Sequence, residues 1–87
     1  MTDSMTNAVD ITLMAINELY CDLGFEGCLD TIVIFLNSAY MLSTVLGLGM
    51  EAEVKKKKKW LNKELINCGS EYRIIFEGYT YKLVTLA

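Results

Sequence analysis

The chain has 87 residues, room for one small domain near the lower end of what folds alone, and 53% of them are hydrophobic. A domain this small cannot hide so much apolar side chain, so an exposed apolar patch is expected, covered by a homodimer or a protein partner; a well-filled monomeric core is the plain alternative. The net charge is −3, Arg73 is the only arginine and histidine is absent, which argues against a dedicated nucleic-acid binder and removes the commonest general base, metal ligand and pH switch.

The first predicted element is an amphipathic helix over about Asn7 to Leu23. Val9, Leu13, Ile16, Tyr20 and Leu23 recur at helical steps and form one stripe, while Asp10, Asn17, Glu18 and Asp22 lie off it. Asn7 and Asp10 resemble a helix start and Gly24 a C′ residue. Residues 1–6 are expected to be a flexible, polar N-terminus without the basic n-region of a signal peptide.

The second element, about Gly27 to Leu48, is strongly apolar, and no charge falls between Thr31 and Met50. That run is long enough to span a bilayer, and the lysines after it suit a cytoplasmic flank. Asn37, Ser38, Ser43 and Thr44 interrupt it, and Gly47 and Gly49 weaken its end. The favoured reading is a soluble central helix buried on most sides, with a break at Asn37–Ser38, capped by Ser38, as a variant.

The third element, Met50 to Asn67, is a charged helix with Val54, Leu61, Leu65 and Cys68 on one stripe. Glu51 and Glu53 suit its first turn and precede Lys55 and Lys57 by four residues. Gly69 ends it. The last element, Glu71 to Leu86, is a β-hairpin with Glu77-Gly78 as its two-residue turn. That register pairs Phe76 with Tyr79, Ile74 with Tyr81 and Tyr72 with Leu83, all on one face, and sets Arg73 against Lys82, a like-charge pair that an acidic partner would relieve. A slipped register is the alternative. The fold class is therefore α+β in a single domain: three helices, or four if the second breaks, then a C-terminal hairpin, order α-α-α-β-β, with the helical part over residues 7–69 and the hairpin over 71–86.

Few constellations carry chemistry. Lys55 to Lys59 turn through more than a full circle of helix and cannot all face one ligand. Lys58 lies over the apolar stripe and must snorkel outward. Lys55, Lys59 and Lys63 line one side, with Trp60 beside them and near Lys56. A tryptophan among lysines suits a protein partner or a stacked base; a solvated face with Trp60 in the core is the plain reading. Lys55, Lys56, Lys59, Trp60, Lys63, Arg73 and Lys82 form the candidate partner-binding set.

Glu18, Asp22, Glu26 and Asp30 make an acidic edge, too few convergent oxygens for a metal. Cys21, Cys28 and Cys68 are odd in number and lack CxxC spacing, so they read as buried, reduced thiols in an intracellular, cytoplasmic protein rather than a zinc site, with a Cys21–Cys28 bridge as the alternative. No catalytic residue, cofactor or metal is expected.

From about Ser38 to Leu86 the chain resembles a winged helix-turn-helix domain. The residues are Leu42 to Leu48, then Val54 and Leu61 in the next helix, then the hairpin from Tyr72 to Val84. The resemblance implies that Met50 to Asn67 enters the major groove, with Glu77-Gly78 as the wing tip. The turn is one residue longer than that pattern, Lys58 stands where an apolar residue belongs, and Glu51 and Glu53 open the would-be recognition helix.

The expected function is a non-enzymatic protein-interaction module, inhibitor- or adaptor-like and of the kind made by phages and mobile elements. It would bind through an apolar patch and the Trp60–lysine face. A small winged-helix DNA-binding regulator is the second expectation and a membrane-anchored protein the third.

Overall fold

In a computed structural model, the backbone is described for residues 2–86 and the side chains for residues 8–19 and 27–86. The order is helix α1 (Thr2–Val45), helix α2 (Glu51–Asn67), strand β1 (Tyr72–Glu77) and strand β2 (Thr80–Thr85). As a straight rod, residues 8–45 alone would run about 56 Å, yet the molecule measures 43 Å along its longest axis. The helical run of α1 is therefore bent into two arms, a first that contains residues 8–19 and a second that contains Gly27–Val45, and with α2 it supplies three helical arms before the antiparallel hairpin. The α+β class and the order α-α-α-β-β hold.

The helix boundaries differ from expectation at two points. Helix begins at Thr2 rather than Asn7, and it runs without interruption through Gly24. The second arm, Gly27–Val45, also runs unbroken through Asn37–Ser38. Ser38 Oγ donates back to Ile34 O at 2.9 Å instead of capping a new helix. The flexible N-terminus expected over residues 1–6 is helix from Thr2 onward, while Met1 and the side chains of residues 2–7, Tyr20, Cys21, Asp22, Leu23 and Glu26 lie outside the described residues.

Both long helices end in the same way. Gly47 N donates to Thr44 O and Leu48 N to Ser43 O; Gly69 N donates to Ile66 O and Ser70 N to Leu65 O. These are paired Schellman closures, and each places a glycine with φ near +70° at C′ (64° at Gly47, 76° at Gly69). The buried Ser43 hydroxyl accepts from Met50 N at 2.7 Å, and Thr44 Oγ1 donates to Glu51 Oε1, so the corner between α1 and α2 is fixed from both sides.

The core forms where the second arm, α2 and one face of the hairpin meet. Its fully buried members include Ile32, Leu36, Val54, Leu61, Leu65, Ile74 and Tyr81, and Val9 and Ile16 of the first arm belong to the same cluster. The sequence stripes on the first arm and on α2 therefore face inward as expected at Val9, Leu13, Ile16, Val54, Leu61 and Leu65. Tyr40, Phe76 and Tyr81 stack between the second arm and the hairpin, with ring centroids 4.6 to 6.1 Å apart.

The hairpin register is the slipped one. Glu77 pairs with Thr80, Phe76 with Tyr81, Ile74 with Leu83 and Tyr72 with Thr85. The turn is Gly78-Tyr79, with Gly78 at φ 63° in the first central position, the geometry of a type II′ turn. The expected Glu77-Gly78 turn would have put a positive φ on Glu77. The slip moves each partner by two residues, so Ile74, Phe76, Tyr81 and Leu83 keep the inward face, while Tyr79 becomes the exposed tip and Tyr72, at the start of β1, is exposed as well. Arg73 now pairs with Val84 and Lys82 with Ile75, which removes the expected like-charge pair.

Both outer edges of this two-stranded sheet are closed by asparagines. Asn37 of the second arm donates to Tyr81 O at 3.1 Å and accepts from Tyr81 N at 2.6 Å. Asn62 of α2 donates to Ile74 O at 2.8 Å and accepts from Ile74 N at 2.9 Å. Each amide replaces the neighbouring strand that the edge lacks. Tyr81 and Ile74 are also the two hairpin residues buried most completely.

Candidate functional site

Two surfaces stand out. The first is an apolar stripe along the second arm, where Ile34, Met41 and Val45 face solvent with Leu46 just beyond the helix end. Ile34, Ser38, Met41 and Val45 follow one another at steps of four, three and four, so they lie on one helical face. Beside it runs a groove of about 400 Å³ lined by Ser38, Met41, Leu42, Val45 and Leu46. A second hollow, of about 250 Å³, shares Met41 and Val45 and reaches Tyr40 and the hairpin tip Tyr79. The stripe is therefore continuous with the tip. The same uncharged run supplies the core with Ile32, Leu36 and Ala39 on its other side; Gly27–Val45 is long and apolar enough to cross a membrane by length and composition, with a third of its most apolar window buried in the fold.

The second surface is the seam between the first arm and α2. Trp60 is half-buried there and lines a groove of about 450 Å³ with Leu13, Asn17, Glu53, Lys56 and Lys57. Lys57 lies with its Nζ 4.4 Å from the Trp60 ring centre and donates to Asn17 Oδ1 at 2.5 Å. Partial burial lowers the pKa of this ammonium. Lys57 was not among the sequence candidates, although it is the lysine that contacts Trp60 most directly; its step of three from Trp60 was the available signal.

The seven sequence candidates do not converge. Lys56 and Trp60 share the groove. Lys55 points the other way, with its Nζ 5.1 Å from the Phe76 ring centre. Lys59 and Lys63 are exposed on the outer face of α2. Arg73 is half-buried, and its guanidinium donates to Ser70 O at 2.7 Å and Tyr72 O at 2.5 Å, bracing the corner between α2 and β1. Lys82 pairs with Glu77 at 3.0 Å on the exposed face of the hairpin.

The cysteines divide. Cys28 is buried, and burial raises its thiol pKa. Cys68 is exposed, against expectation, because it falls at the C-cap of α2, where its Sγ donates to Leu65 O. Glu18 and Asp30 are exposed, and among the described residues no group of His, Cys, Asp and Glu is arranged to hold a metal ion. The Tyr81 hydroxyl is buried without a hydrogen-bond partner among the described residues; burial first, then Tyr40, pushes its pKa up to about 12.

Fold and site together define a small α+β domain with a solvent-facing apolar stripe and an aromatic–cationic groove. No family model, no curated protein and no solved structure matches the chain.

Proposed function

We propose that this chain is a non-enzymatic interaction module that acts by covering a surface of another polypeptide, as an inhibitor or adaptor does. The observation that carries this reading is the stripe of Ile34, Met41, Val45, Leu46 and Tyr79. The fold buries one side of an uncharged run and leaves these large apolar residues in water, at a cost that a partner would recover. The Trp60 groove is the second contact, with an aromatic anchor flanked by the exposed ammonium of Lys56.

Capture by immobilised chain tests this. Wild type is compared with Met41→Glu plus Val45→Glu and with Trp60→Ala, each checked for unchanged helix content. At least one variant is expected to lose a wild-type partner by roughly tenfold or more, as a central interface residue does. If both retain the full set of partners, the reading fails.

A second reading, a winged-helix nucleic-acid binder, is favoured by the placement of α2 directly before the hairpin and by the exposure of Lys55, Lys56, Lys59 and Lys63. DNA binding that is tight, falls steeply with salt and is abolished by Lys55→Glu with Lys59→Glu would put this reading first.

A further inference from the structure

We propose that the occupant of the apolar stripe is a second copy of this chain, packed antiparallel across it about a two-fold axis between Ser38 and Met41. This rests on the interaction reading and names the partner for one of its two surfaces, leaving the Trp60 groove for another protein.

Three observations carry it. The first is self-complementarity. A two-fold contact requires that whatever residue i meets, its own symmetry mate meets i in return. Around an axis between Ser38 and Met41, Met41 of one copy faces Ser38 of the other, and Ile34 faces Val45. The small Ser38 sits at the edge of the 400 Å³ groove, a hole for the long, flexible Met41 side chain. Two Met41 knobs thus enter two Ser38 holes, and a pair of β-branched residues closes each end. Ser38 Oγ is already bonded to Ile34 O, so covering it strands no hydroxyl.

The second is charge. The chain carries −3, a balance that opposes self-association, yet nothing from Thr31 to Met50 is charged, so two copies meet here without an ionised group at the contact. The third is area. Ile34, Met41, Val45, Leu46 and Tyr79 are exposed by 60%, 61%, 74%, 43% and 87%. At roughly 150–250 Å² for a large aromatic side chain and less for an aliphatic one, they present on the order of 500 Å². A standard interface buries about 600–1,000 Å² on each partner, so the stripe approaches the lower end of that range, where weak associations lie.

Sedimentation equilibrium of the full chain in detergent-free buffer, from about 5 to 200 µM to bracket a micromolar constant, tests the proposal. Wild type is expected to approach twice the chain mass. Met41→Glu and Ser38→Lys are each expected to weaken the dimer at least tenfold, while Ile66→Glu, an exposed apolar position on α2, leaves it unchanged. Mixing the Met41→Glu chain with the Ser38→Lys chain is expected to restore a dimer, because only in the antiparallel arrangement does Glu at 41 of one copy meet Lys at 38 of the other.

A wild type that stays monomeric throughout overturns the proposal. So does a dimer indifferent to Met41→Glu, a mixture that fails to re-associate, or a chain that leaves solution for neutral lipid vesicles. A monomer whose capture of another protein still depends on Met41 would remove the second copy and leave the interaction reading standing.

Discussion

Each asparagine clasp satisfies two backbone groups at once, and replacing either residue orphans both. Asn62→Leu keeps the size of the side chain but leaves the N–H and C=O of buried Ile74 without their partners. An unsatisfied buried group costs about 1–3 kcal/mol, so Asn62→Leu is expected to lower unfolding free energy by about 2–4 kcal/mol in urea titration, and Asn37→Leu by a similar amount at Tyr81. Tyr81→Phe runs the opposite way. Its hydroxyl is buried without a partner among the described residues, so removing it should be neutral or stabilising by up to about 1 kcal/mol. The same hydroxyl sets a pH dependence. With its folded pKa pushed up to about 12 and an unfolded value near 10, the neutral form belongs to the folded state. The stability linked to it is complete below pH 10 and lost as pH rises from about 10 to 12, by up to about 2–3 kcal/mol. Denaturation midpoints for wild type and Tyr81→Phe should diverge in that window; parallel curves would mean the phenol ionises freely in the fold. Neither clasp was legible in the sequence. Asn37 read as an interruption of an apolar run, because nothing local reveals that a strand 44 residues away presents an open edge to it.

At the scale of elements, legibility followed the range of the interactions. Apolar periodicity within one helix is local, and it placed Val9, Ile16, Val54, Leu61 and Leu65 inward. It failed at Cys68, where the helix runs out and the periodic position no longer faces the core. Faces of the hairpin were legible because alternation survives a two-residue slip, but the register was not, since two adjacent turns shared Gly78 and only the tolerance of Gly78, rather than Glu77, for positive φ separates them. The bend of α1 escaped as well: a glycine read as a terminator sits within continuous helix. The glycines at the true helix ends are the testable ones. A Cβ at Gly47 or Gly69 would touch nothing within 4 Å, so an alanine there meets only the cost of the left-handed backbone, roughly 1–2 kcal/mol. Gly47→Ala and Gly69→Ala are each expected to lower the thermal midpoint by that equivalent, with calorimetry as the check. A loss above about 4 kcal/mol would show that the closures carry packing as well as conformation.

For the whole molecule, the issue is whether the first arm folds with the rest or rides on it. The buried cluster places Val9 and Ile16 in one assembly with Tyr81 and Ile74 of the hairpin, and a domain of this size usually melts as one unit. The two ends of that assembly can be watched separately. Trp60 is the only tryptophan and lines the seam between the first arm and α2, whereas far-ultraviolet ellipticity sums all three helical arms. Ile16→Ala empties a fully buried site in the first arm, which should cost about 2–5 kcal/mol. If the cluster is a single cooperative core, Trp60 emission and ellipticity shift together by that amount and their unfolding curves continue to coincide. If the first arm is a local unit of lower stability, Trp60 emission reddens at a lower denaturant concentration while most of the ellipticity persists. The contiguity of the buried residues favours coincidence, and with it a seam held rigid enough for Lys57, Asn17 and Trp60 to form one preformed groove.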